Sequence, residues 1–166
     1  MATPAFERKA DDLRARYLRD AHRRPASSAR GVHHLAMIAR DVEETIRFYQ
    51  DLLGWPLVEL LENRDYAGST HFFFDLGHGN LLGFFDFPGL GLGEAVETIG
   101  SMQHVAISVT RESFEMLKQR LDQAGIEYLG PDRGLTDSVY FTDPNGIQLE
   151  LLAEPLLEMD GRRMGG

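Results

Sequence analysis

Two histidines and one glutamate stand at matching places in a repeated pattern. The segment His34-Leu-Ala-Met-Ile-Ala-Arg-Asp41 returns as His104-Val-Ala-Ile-Ser-Val-Thr-Arg111. Each copy runs into a helical stretch that ends at a glycine, Gly54 and Gly125. Each then closes with a glycine-led apolar strand, Gly79-Asn-Leu-Leu-Gly83 and Gly146-Ile-Gln-Leu-Glu150. In register His34 matches His104, but Glu150 matches Gly83, so the fourth position is blank. Two imidazoles and a carboxylate are the inventory of a three-ligand metal site with coordination positions left open. Such a site suits a substrate chelating through two neighbouring oxygens, with the metal as Lewis acid stabilising a developing oxyanion.

The period-two alternation of a strand assigns these side chains to faces. His34, Ala36 and Ile38 share one face; His104, Ala106 and Ser108 share the corresponding one. Their apolar neighbours, Leu35 and Met37, then Val105, Ile107 and Val109, point the other way and should meet helices. The face carrying histidine and alanine should therefore line a concave cavity, where small neighbours leave room for a ligand. In the last strand Gln148, Glu150 and Leu152 fall on that face, flanked by Ser138, Tyr140 and Thr142 of the strand before. His33 is the rival of His34, and the register with His104 favours His34. Glu150 in an apolar strand is otherwise a poorly explained buried charge. His71 heads a strand at the cavity mouth, and Phe73 and Phe85 supply apolar wall. Gly83 is read as a vacated position that leaves space for substrate, so one metal per chain is expected.

The elements that must position this site follow from local signals. Phe6, Ala10, Leu13, Tyr17 and Ala21 recur at helical spacing, which predicts an amphipathic helix over 5–24, with 26–30 as linker. A strand is expected at 32–40, then a helix capped by Asp41 and running to Leu53, with Gly54 as its closing residue. Strands follow near 57–62, 70–76 and 80–87. A glycine-rich loop from Pro88 to Gly100 joins the halves. The order then repeats: strand 103–109, helix 112–124, and strands near 126–130, 137–142 and 146–152, with a turn at Asp143-Pro-Asn-Gly146. The domain reading is 1–30 helix and linker, 31–90 first module, 101–153 second module, and 154–166 a weakly ordered tail. Each module is βαβββ. The fold class is α+β: two such modules form a curved mixed sheet around a concave metal and substrate cavity, with the N-terminal helix added.

Bulk properties narrow the function. The chain has 166 residues, a formal net charge of −9 and no cysteine. Disulfides and thiolate metal sites are excluded, and a cytoplasmic setting is the expectation. No apolar run is long enough for a membrane span. Residues 1–30 hold eight of the 17 basic residues and four of the 26 acidic ones, so the rest of the chain is strongly acidic. An acidic body argues against nucleic acid as a partner. The apolar stripe of the N-terminal helix calls for cover from the body or from a second subunit, and a homodimer is the expected assembly.

The runs "HHLAMIARDVEETIRFYQDLLG", "QHVAISV" and "SVYFTDPNGIQLELL" resemble the vicinal oxygen chelate superfamily. That group includes glyoxalase I, extradiol dioxygenases, fosfomycin-resistance thiol transferases and bleomycin-resistance binding proteins. The resemblance covers about residues 31–153. It implies paired βαβββ modules and one divalent metal held by His34, His104 and Glu150, with Tyr140 facing the metal as a catalytic or substrate-contacting group. Gly83 stands where four-ligand glyoxalases similar to this fold place a further ligand. The basic anion-binding residues of fosfomycin transferases are not evident. The extra acid/base histidine of extradiol enzymes would fall near Pro88, where there is none. The reading favoured is a dioxygenase-like enzyme acting on a small substrate, with Fe2+ or Mn2+ ahead of Zn2+ or Ni2+. The alternatives are a glyoxalase-type lyase or isomerase, a thiol transferase, or a small-molecule binding protein.

Overall fold

Among the described residues, short β-prone segments separated by glycine and asparagine turns become eight strands in two sheets. The computed structural model describes residues 4–133 and 136–153, and the expected tail at 154–166 lies outside them. The chain divides into an N-terminal unit ending at Gly31 and a body beginning at Val32.

In the N-terminal unit, helix α1 spans Pro4–Tyr17 and a single 3-10 turn covers Ala21–Arg23. The helix predicted over 5–24 is thus shorter. Asp20 takes an extended conformation ahead of the turn, and nothing in Ala21–Arg23 is buried, so no packing opposes the break. Exposed pairs Arg14–Asp11 and Arg16–Asp12 link successive turns of α1, each worth a few tenths of a kcal/mol. Phe6, Leu13 and Tyr17, the expected buried stripe, are exposed.

The body contains two modules of one design. In the first, strand β1 (His34–Ile38) leads into α2 (Val42–Ile46), then β2 (Leu57–Glu62), β3 (Thr70–Asp75) and β4 (Leu81–Phe85). In the second, β5 (Val105–Val109) leads into α3 (Arg111–Ala124), β6 (Leu129–Arg133), β7 (Asp137–Thr142) and β8 (Gln148–Ala153). Each module forms its own four-stranded sheet, ordered β1-β4-β3-β2 and β5-β8-β7-β6. The first and last strands of each module run parallel, and the other pairs are antiparallel. Ala36 pairs with Gly83 where Ala106 pairs with Glu150, and Phe73 pairs with Gly83 where Tyr140 pairs with Glu150. The register read from the repeat is therefore the register of the sheets.

Local chemistry explains the helix ends. Asp41 caps α2 by accepting from the Glu44 N–H at 2.8 Å, and Thr110 caps α3 by accepting from Ser113 N–H at 3.1 Å. Gly125 closes α3 in the left-handed region (φ 68°), which only glycine adopts without steric cost. The predicted helix to Leu53 departs from the α form: Arg47–Leu52 is a π turn. Its wider winding carries adjacent Phe48 and Tyr49 into the core together. Strand β6 starts later than predicted. Ile126 and Tyr128 instead pack on the core ahead of it, and the β6–β7 register shifts between Leu129 and Asp132, around Pro131. Proline cannot donate to a ladder, so it belongs at such an edge. Among the described residues no helix is long and apolar enough to cross a membrane.

The two modules meet through their helix sides. Phe48 packs on Phe141, the Arg120 guanidinium donates to the Leu52 carbonyl at 3.0 Å, and the Tyr49 hydroxyl donates to Asp143 Oδ2 at 2.9 Å. Asp143 also accepts from the Asn145 and Ile147 N–H groups at 2.9 and 2.7 Å. Asn145 Oδ1 in turn accepts from the Arg40 N–H at 2.8 Å, tying this turn to the end of β1.

Burial pushes the Asp143 carboxyl pKa up, and its hydrogen bonds offset this only in part. The folded state therefore holds that proton more tightly than the unfolded chain. Asp143 favours folding most at low pH, and its contribution falls as pH rises from about 4 through the raised native value. The expected outcome is that the stability of wild type relative to Asp143→Asn declines over that rise, read by urea unfolding. Tyr49→Phe should cost about 1–2 kcal/mol by the same measurement.

Candidate metal centre

Strand alternation sends Leu149 and Leu151 into the core and Glu150 to the opposite face of β8. Glu150 is only 6% exposed. The Tyr140 hydroxyl donates to its Oε1, and His104 Nε2 stands 3.1 Å from its Oε2. The other imidazole nitrogen, His104 Nδ1, contacts Gln103 Oε1, and Gln103 Nε2 donates to Gln148 Oε1 at 3.2 Å. Because Gln103 Oε1 can only accept, His104 Nδ1 carries the proton. In the neutral ring Nε2 then presents a lone pair toward a carboxylate oxygen. Two acceptors this close repel unless a proton or a cation lies between them. Ligands on adjacent positions of an ion with bonds of about 2.0–2.2 Å lie about 3 Å apart, so this pair has the spacing and chemistry of two metal ligands. Beside it runs a groove of about 870 Å³ lined by Tyr128, Leu129, Tyr140, Thr142 and Gln148, among others.

The matching face of the first sheet carries the remaining candidates. His34 is exposed, and its Nδ1 shares a hydrogen bond of 2.9 Å with His33 Nδ1. With the proton on His34 Nδ1, its Nε2 is free to ligate. Each candidate ligand histidine is thus tethered through Nδ1 by the residue just before it, as expected of metal-binding imidazoles. The His34 ring meets Phe73 edge-on at 5.8 Å. The structure does not bring His34 to Glu150 within one chain: no group of three or more His, Asp or Glu among the described residues could hold a metal. It brings together His104, Glu150 and Tyr140 on one sheet, and His34, His71, Phe73, Gly83 and Phe85 on the other.

Gly83 is not the open space expected from its missing side chain. It is buried, and a Cβ there would meet Phe73 ring atoms at 2.9 and 3.0 Å and the Leu35 carbonyl oxygen at 3.2 Å. Phe73 has filled the vacated position. His71 stacks on Phe85, with centroids 3.7 Å apart and planes 19° from parallel, and lies 4.2 Å from Phe73. Burial lowers the His71 pKa, and the neighbouring His34 lowers it further. Gln103 and Tyr128 were not singled out from sequence. The signal for Gln103 was present: a polar residue precedes each histidine of the repeat.

These features belong to a known family. The model of the Glyoxalase/Bleomycin resistance protein/Dioxygenase superfamily matches residues 31–151. The chain is a member of that superfamily, and the paired βαβββ modules are its fold. It is 38% identical over 101 residues to a Bacillus subtilis protein named "Putative ring-cleaving dioxygenase MhqE", a match covering 58% of this chain and 32% of that protein. It is 30% identical over 124 residues to glutathione transferase FosA of Serratia marcescens, covering 72% and 78%. Among solved structures, a glyoxylase/bleomycin resistance protein/dioxygenase domain from Frankia superposes with a TM-score of 0.66 at 21% identity, over 82% of this chain and 98% of that one. The fosfomycin resistance protein FosX of Listeria monocytogenes, solved with Mn(II) and sulfate, gives a TM-score of 0.57 at 21% identity, over 77% and 95%. The chain spans 32% and 41% of the length of two matched relatives named as ring-cleaving dioxygenases. Relatives are thus named as dioxygenases, transferases and glyoxalases, and family members bind a divalent metal.

Gly83→Ala is expected to lose about 1–3 kcal/mol, because the added methyl overpacks against Phe73. Combining it with Phe73→Leu should recover part of that loss. Urea unfolding of the two single variants and the double variant measures the coupling.

Proposed function

We propose that this chain is a divalent-metal enzyme acting on a small substrate that chelates through adjacent oxygens, most readily a ring-cleaving dioxygenase. The observation that carries the reading is the buried Glu150 carboxylate, held toward the open face by Tyr140 and faced by His104 Nε2 at 3.1 Å. His104 and Glu150 would hold the metal, with His34 of a second copy of this chain as third ligand. Intra-chain contacts between modules run through their helix sides, so His34, Ala36, His104, Ala106 and Ser108 are all left exposed. Apolar Ile38 and Leu61, paired with Phe85 and His71 on this face of the first sheet, are also exposed. One face has two ligands and the other has one. Apposing unlike faces of two copies covers this apolar surface and completes the set.

The metal would supply Lewis acidity toward the substrate oxygens, with Fe2+ or Mn2+ ahead of Zn2+ or Ni2+. The protein's own groups do the rest. Glu150 supplies negative charge that retains the cation, and Gln103 fixes the tautomer of His104. The Tyr140 hydroxyl, now on Glu150, is placed to turn and donate to a substrate oxygen. Phe73 and Phe85 keep water from the wall opposite. A four-ligand glyoxalase arrangement is disfavoured because Phe73 occupies the place over Gly83. The transferase reading draws on the similarity to FosA.

The test is metal content and oxygen uptake of chelator-stripped protein reloaded with each ion and given catechols. One metal per chain is expected, with Glu150→Ala losing it. Tyr140→Phe should keep metal and lose turnover, by about 10²–10⁴-fold if the hydroxyl moves a proton. His34→Ala and Glu150→Ala should each lose tight binding alone, yet regain one site per pair when co-expressed. No recovery in the hybrid would refute the shared site. Turnover without oxygen, supported by Zn2+, would replace the dioxygenase reading with a lyase or transferase. Tight binding without turnover would leave a binding protein.

A further inference from the structure

One polar atom on the first sheet has no use in the fold or in the metal reading. His71 Nε2 is cut off from water and has no hydrogen-bond partner; it is the sole such buried side-chain atom among the described residues. Its ring is fixed in plane. Phe85 lies flat against one face, Phe87 continues the stack at 6.0 Å, and Phe73 packs at 48° to the ring. Packing alone does not call for histidine. The corresponding pair in the second module, Ser138 opposite Leu152, forms the same sheet without an aromatic ring. A phenylalanine or leucine at position 71 would satisfy the stack without an unpaired nitrogen. Buried polar atoms lacking partners are rare in native proteins, and each one calls for an explanation.

We infer that His71 is a specificity-determining residue whose Nε2 hydrogen-bonds a hydroxyl of the bound substrate, beside Phe73 and not as a metal ligand itself. This rests on the reading that the open face of the first sheet is one wall of the substrate cavity. Phe85 stays stacked and holds the imidazole plane. Phe73, half-buried and facing the open side, turns aside to admit the ligand. The ligand class is an aromatic ring bearing a hydroxyl at its edge. The surrounding rings accept its apolar body, and a hydroxyl both donates and accepts, so it pairs with either tautomer of His71. A ring with a methyl in that place fills the same space and leaves Nε2 unpaired.

Two measurements on metal-free full-length protein test this. The first needs no ligand: His71→Phe and His71→Leu remove the unpaired nitrogen, and at least one should raise Tm by about 2–4 °C. A fall in both would show that Nε2 is satisfied in solution and would overturn the inference. The second uses phenol and toluene as probes, followed by the ¹⁵N resonance of His71 Nε2. Phenol should move that resonance and toluene should not. Wild type should prefer phenol over toluene by about tenfold more than His71→Phe does. A resonance that moves with neither probe, or equally with both, would overturn the assignment. Because no metal is present, failure here leaves the shared metal site standing, and failure of the metal site leaves this outcome unaffected.

Discussion

The arrangement of the body depends on one buried carboxylate. Asp143 sits in the turn between β7 and β8, accepts backbone hydrogen bonds from its own turn, and takes a further one from Tyr49 of the other module. Tyr49 is fully buried among Trp55, Phe74 and Phe84. That hydrogen bond joins the aromatic core of one module to the turn that launches the glutamate strand of the other. Because the contact lies on the helix side, it also decides that the two strand faces stay open.

That dependence explains what could be read from the sequence and what could not. The pairing of Gly83 with Ala36 and of Glu150 with Ala106 was legible, since the repeat fixes register and alternation fixes the face. The relation of His34 to Glu150 was not. Alternation places both on open faces but is silent on which face meets which, and that follows from Tyr49, Phe48 and Arg120 packing across the modules. The space over Gly83 is hidden from the sequence for a related reason. A missing side chain reads as room, whereas a neighbouring ring, Phe73, closes over it. The π turn at Arg47–Leu52 leaves no mark in a hydrophobic pattern already consistent with an ordinary helix. The long reading of α1 followed apolar spacing through Tyr17 to Ala21, although no buried contact there sustains it.

The two modules show how a duplicated unit becomes unequal. Glu150 and Tyr140 occupy in one sheet the positions that Gly83 and Phe73 occupy in the other. In one, a phenol hydroxyl meets a carboxylate; in the other, a bare ring covers a bare backbone. The backbone register is unchanged by this exchange, so one sheet keeps a buried carboxylate and the other an apolar wall.

The paired tethers on the histidines have a consequence of their own. Gln103 and His33 each engage the imidazole that follows them directly in the chain, so each contact closes within two residues. It forms as soon as its strand does, with no need for the rest of the site. The rings lose their rotational freedom during folding, so under the proposed metal site an arriving ion would meet nitrogens already turned to receive it. Under that proposal the affinity of this preorganised receptor would be set less by the entropy of gathering ligands than by which copies of the chain have come together.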